Sequence, residues 1–192
     1  MLDFNEAWRN RYGHTPPVGW RLRGRFGGPR PSRWFRIHSL PEMKRYPETP
    51  EEIAEVHRRH EALAAELFSF DDGACWVIVP QWKSDENGFR LECLPDLEFT
   101  VKWRLQVREI DDDLEDPSFA WGALTRWSAE ETRAARELIM QDKERILWVA
   151  QETLEVFAPY DGGVDIIAAD GARRDDLARR FKAWRSPRPD GL

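Results

Sequence analysis

Apolar positions along this chain recur with two periods, and the switches between them mark out the elements. From Thr49 the period is helical. Thr49-Pro50-Glu51-Glu52 supplies an N-cap, a proline at the first helical position and a glutamate three residues on. Ile53, Val56, His60, Leu63, Ala64 and Leu67 then share one face, which predicts a helix to about Phe68. Ser128-Ala129-Glu130-Glu131 repeats the capping signature and opens a second helix to about Lys143. Asp3 to Tyr12, ended by Gly13 and Pro16-Pro17, reads as a short helix. Asp170-Gly171 begins another, with Leu177, Phe181 and Trp184 on one side.

Elsewhere the period is two. Trp20 to Phe26 alternates apolar residues with Arg21, Arg23 and Arg25, which predicts a half-buried strand. With Trp34 to His38 it forms a predicted hairpin across the Gly27–Pro31 turn. Cys75 to Val79 is apolar on both faces, as a central strand is. Asn87-Gly88, between strand-like runs at 76–83 and 89–94, is a hairpin signal. In 98–108, Phe99, Val101, Trp103, Leu105 and Val107 point one way, and Phe119 to Ala123 reads as the return strand. Ile146–Ala150, Leu154–Ala158 and Val164–Ala168 read as three short strands, although 146–157 also fits helical spacing. The fold class is α+β, a mostly antiparallel sheet with three to four helices packed on it. With no linker or repeat, residues 1–192 read as a single domain.

Charge divides that domain. The net charge of −6 conceals ten Lys/Arg against three acids in residues 1–46, a basic front of +7 on an acidic body, 47–192, of −13. Such a front marks an anion or nucleic-acid site, or a segment lying on its own protein's acidic surface. The negative total repels nucleic acid at long range and argues against that partner. Ten Trp and ten Phe exclude disorder and supply either a core or a contact surface. The opening residues lack the basic and apolar regions of a secretory signal, and no apolar run approaches a membrane span. Cys75 and Cys93 sit in apolar segments and read as buried thiols of a reducing compartment. A cytoplasmic protein without membrane contact is expected.

The densest concentration of chemistry is the Pro-bounded loop 36–46. Arg36, Lys44 and Arg45 are candidates to hold an anion, His38 and Glu42 to carry protons, and Tyr46 completes the set. The same polar groups equally suit a loop that satisfies its own backbone and ties itself to the body. His57 and His60 lie three apart, not in the spacing of His-Glu-x-x-His enzymes, and read as packed histidines. The acidic run 111–116 lacks the glycine of a calcium loop. The Arg21/Arg23/Arg25 stripe beside Trp20 either tracks phosphates or forms the charged face of an edge strand. Tyr160-Asp161-Gly162-Gly163 is read as a turn. No metal, no cofactor and no catalytic residue is assigned.

Trp34-Phe35-Arg36-Ile37-His38-Ser39-Leu40-Pro41-Glu42-Met43-Lys44-Arg45-Tyr46, together with Pro159 to Ile167 and the helix ending at Trp184, resembles the bacterial domain of unknown function 3885. Met43 stands where a small polar residue is expected. The resemblance implies a bacterial cytosolic protein and transfers no activity and no catalytic residues. The functional expectation is therefore a protein-binding module, of immunity type if its partner is a toxin. Its acidic body suits a basic target, and its aromatic residues suit an interface. The alternative is a small enzyme or binder that takes a phosphate-bearing small molecule through loop 36–46.

Overall fold

The computed structural model describes residues 4–27, 32–82, 89–104, 119–186 and 188. Seven antiparallel strands form one sheet in the order β1-β7-β6-β5-β2-β4-β3. They are β1 Trp34–His38, β2 Ala74–Gln81, β3 Val101–Arg104, β4 Phe119–Arg126, β5 Leu147–Ala150, β6 Val156–Tyr160 and β7 Gly163–Ile167. Five helices flank it: α1 Phe4–Tyr12, α2 Gly19–Phe26, α3 Pro50–Leu67, α4 Arg133–Met140 and α5 Gly171–Arg180.

Period two along the strands divides the core between the two faces of the sheet. Phe35, Ile37, Val77, Val79, Trp148, Phe157, Val164 and Ile166 point to one face, where α3, α4 and α5 add Leu63, Leu67, Ile139 and Leu177. Trp34, Trp76, Ile78, Leu147, Val149, Val156 and Ile167 point to the other. There α1 contributes Phe4, Trp8 and Tyr12 at four-residue spacing, and α2 contributes Leu22. Burying each such side chain stabilises the fold by about 1.5–3 kcal/mol before ordering costs.

The α3 capping box forms as its sequence predicts, with Thr49 and Glu52 exchanging side chain and backbone contacts. At the second capping signature the Glu131 amide donates to Ser128 Oγ, but a turn intervenes and the helix runs only from Arg133 to Met140. Asp170 caps α5 through the Arg173 amide.

Three expectations need correction. Residues 20–26 are helical, not a strand, and the helix count rises to five. Leu22 also lies four residues from both Val18 and Phe26. Over eight residues an alternating and a helical pattern coincide, and arginine favours helix over strand. Consequently β1 has no hairpin partner at 20–26 and pairs with β7 instead, Arg36 opposite Asp165. Residues 89–94 form turns, not a strand, with the Leu94 amide bonded to the Leu91 carbonyl. The Asn87-Gly88 hairpin and the 111–116 acidic run lie outside the described residues. Among the described residues, no helix is long and apolar enough to cross a membrane.

Candidate functional site

Loop 36–46 is tied to the body at successive points. Arg36 is buried on β1, its guanidinium forked onto the Asp165 carboxylate at 2.9 and 3.1 Å and lying over the Tyr160 ring. The His38 carbonyl accepts from Arg59 of α3 at 2.9 Å. Its Nε2 is shielded and has no partner among the described residues. Burial, with Arg36 and Arg59 beside it, holds the His38 pKa below the ordinary histidine value. Ser39 Oγ lies 2.9 Å from His60 Nε2. Burial first, then Arg136 and His57, bring the His60 pKa down to about 3, so its ring is neutral. Both residues are sealed from solvent, so this serine–histidine pair fastens the loop and offers no nucleophile to a substrate.

Beyond Ser39 the loop rises to the surface. Leu40 is buried, Glu42 and Met43 follow with positive φ of 55° and 60°, and the Lys44 amide closes the turn onto the Pro41 carbonyl. Lys44 Nζ then grips Glu48 and Glu52, the same glutamate that completes the α3 capping box. Arg45 Nε meets the buried Asp161 carboxylate at 2.5 Å. Tyr46 also hydrogen-bonds Asp161, which raises its phenol pKa.

Arg45 and Tyr46, neighbours in sequence, border two different depressions. Tyr46 lines a hollow of about 280 Å3 with Pro47, Ile53, Glu137, Met140 and Gln141. Of its lining, Tyr46 and Ile53 are 44% and 37% exposed, and Met43, three residues before Tyr46, is 50% exposed. Arg45 lies on the rim of a larger cleft of about 460 Å3, within the usual range for ligand pockets. Its walls come from Gly19, Trp20 and Arg23 at the start of α2 and from Asp142, Lys143, Arg145, Ile146 and Leu147. Pro80, Ala158, Tyr160 and Asp165 complete it from the sheet, and Trp82 stands beside Trp20.

Local chemistry explains how those walls are set. Asp142, just past the end of α4, takes a positive φ of 61°, a conformation that Asp tolerates. The Lys143 amide then bonds back to the Leu138 carbonyl, turning the chain toward the cleft. Trp20 and Trp82 stack with ring centroids 6.1 Å apart and planes within 15°. The cleft's three carboxylates are already matched: Asp142 by Arg145, Asp161 by Arg45 and Asp165 by Arg36. Arg23 and Lys143 have no carboxylate partner among the described residues.

Of the six residues singled out in sequence, Arg45 reaches the cleft, Tyr46 the hollow, and Glu42 is exposed and lines neither. Arg36 lies beneath the cleft, bonded to Asp165; His38 and Lys44 are engaged by α3 residues. They do not converge on one anion site. Trp20, Arg23, Trp82, Lys143 and Tyr160 were missed as a group, because only the helical form of 19–26 brings the first two to the cleft. The Val18, Leu22 and Phe26 spacing was the available signal.

His57 pairs with Glu137 at 3.2 Å, and no group of three or more metal-ligating side chains gathers among the described residues. Cys75 and Cys93 are free, and burial pushes their thiols up to about 12 and about 11. No curated protein and no solved structure matches the chain. Its likeness is to a family: residues 18–189, from the start of α2 past the end of α5, match the model of the domain of unknown function DUF3885, and the chain belongs to that family.

Proposed function

We propose that this chain is a protein-binding module that docks a basic partner on the surface formed by Pro41–Pro47 and the N-terminal half of α3. The observation that carries the reading is the pair of consecutive left-handed residues, Glu42 and Met43. Neither is glycine, and such backbone costs about 1–3 kcal/mol per residue, a cost found mainly at functional positions. Here it supports an exposed methionine three residues before Tyr46, which lines the hollow together with Ile53. Glu137 lines the hollow, and Glu42 and Glu51, exposed on the same segments, have no ion-pair partner among the described residues. Lys44 and Arg45 add little positive potential, since Glu48, Glu52 and Asp161 hold them. An apolar hollow with acid in its lining suits a partner that brings a hydrophobic side chain flanked by Lys or Arg.

A toxin or other basic enzyme occluded in this way would make the protein an immunity-type inhibitor. Its working compartment on this reading is the cytoplasm, where the free thiols of Cys75 and Cys93 persist.

The test is capture from native lysate with the tagged chain and with Met43→Asp and Phe70→Asp, compared at moderate salt. Phe70 is also exposed but follows the far end of α3, roughly 25 Å along the helix. A stoichiometric basic partner retained by wild type and Phe70→Asp, and weakened about 30-fold or more by Met43→Asp, is the expected result. Equal retention by all three, or no stoichiometric partner, would overturn the reading.

A further inference from the structure

The larger cleft is chemically unlike the docking surface beside it. Among the described residues its carboxylates are all engaged, which leaves Arg23 and Lys143 as unmatched positive charge lining one cleft. Trp20 Nε1 is shielded from solvent and has no acceptor among the described residues, although a buried donor ordinarily finds one. Trp82, 41% exposed, stacks on Trp20 and presents a flat aromatic surface at the mouth. Apolar floor is supplied by Pro80, Ala158 and Leu147. The rigid side of the cleft is the sheet, where the Arg36–Asp165 pair fixes Tyr160 beneath the guanidinium at 4.7 Å.

We infer that this cleft binds a mononucleotide-class ligand, a planar ring joined to a phosphate. The ring packs against the solvent-exposed part of the Trp82 side chain, and the phosphate lies between Arg23 and Lys143. Aromatic stacking and charge-assisted phosphate contacts are the two interactions that such a molecule offers, and the cleft supplies both within about 460 Å3. Trp20 Nε1 donates to a ligand oxygen. A long polyanion is disfavoured, because the cleft accommodates a small molecule and the chain as a whole carries a charge of −6. The cleft shares Arg45 with the docking surface, but Met43 is not part of its lining, so either reading can fail without the other.

Titration calorimetry on the full chain tests it with ADP, GDP, CDP and UDP, with adenosine and inorganic phosphate as fragments, and with a twelve-nucleotide single strand. At least one diphosphate should saturate at micromolar to sub-millimolar concentration and bind more tightly than either fragment. Arg23→Glu/Lys143→Glu should weaken it about 30-fold or more with the melting temperature kept, since neither side chain is buried and neither has a carboxylate partner among the described residues. Trp82→Ala should weaken the diphosphate and adenosine but not phosphate. Met43→Asp should leave all of these unchanged. Absence of saturation by all four diphosphates, indifference to the Arg23/Lys143 reversal, or tighter binding of the oligonucleotide would each overturn the inference.

Discussion

Arg36 and Asp165 face each other across the β1–β7 pairing and form a two-pronged ion pair, both side chains only 7% exposed. Trp34 Nε1 donates at 2.9 Å to Asp165 Oδ1, which also accepts from Arg36 Nε, so one carboxylate organises two side chains. A buried charge stripped of its partner costs far more than the intact pair contributes. Asp165→Leu, which strands the Arg36 guanidinium, is therefore expected to lose about 3–5 kcal/mol. Arg36→Met/Asp165→Leu should lose less than the sum of the single changes. Urea unfolding of the four proteins in a double-mutant cycle measures this directly; additive losses would refute a coupled pair.

Acid sensitivity follows from the fully buried His60, whose pKa of about 3 lies well below the ordinary histidine value. Between those two values the unfolded chain takes up a proton that the folded chain refuses. The stability this provides is complete above about pH 6.5 and declines as pH falls toward 3, by up to about 1.4 kcal/mol per pH unit. His57 and His38 are also depressed and add to the same slope. Chemical denaturation at steps from pH 7.5 to 4.5 should show the decline, and His60→Gln should flatten it. An unchanged slope in that variant would mean that carboxylates, not His60, set the acid limit.

Glu42 permits a test of whether the surface loop stores strain. Its φ of 55° suits glycine, and its exposed side chain has no ion-pair partner among the described residues. Glu42→Gly is expected to change stability by between zero and about +1 kcal/mol, strain relief offset by the entropy of the unfolded glycine. The same change should weaken capture of the partner, because Met43 loses its fixed presentation. A clear destabilisation would show that the backbone there is unstrained.

How much of this was legible depended on length and on range. The Thr49-Pro50-Glu51-Glu52 signature and its 18-residue helix were readable because capping and periodicity act locally and agree over five turns. Cys75–Val79 read as central because both of its faces are covered, Val77 and Val79 in one core cluster and Trp76 and Ile78 in the other, and β2 lies between β4 and β5. Segment 20–26 was too short for period to decide between helix and strand, and that single misreading hid Trp20 and Arg23 from the cleft. Loop 36–46 was correctly seen as dense in polar groups. Their partners, Asp165 for Arg36 and Asp161 for Arg45, stand more than a hundred residues away, and no local pattern encodes that distance.

Two glycines separate the helical assignment of α2 from the close packing of β7, and they should respond oppositely to alanine. At Gly24, mid-helix and exposed, an added methyl group meets nothing within 4 Å. If 19–26 is helical, Gly24→Ala should stabilise by about 0.5–1 kcal/mol, the usual difference between the two residues in a helix interior. In an alternating strand the same change would bring little or no gain. At Gly163 a methyl group would stand 2.2 Å from the Ile37 carbonyl oxygen and 2.8 Å from the Tyr160 hydroxyl. Relief requires β1 to part from β7, where His38 pairs with Gly163, and would disturb Tyr160 in the cleft. Gly163→Ala is therefore expected to lose about 2 kcal/mol or more, in the range of overpacked cores. It should also weaken any ligand of the cleft while leaving Met43-dependent capture intact at temperatures where the variant remains folded. Melting curves for the two variants against wild type should shift in opposite directions, and a shared sign would contradict one of the two local geometries.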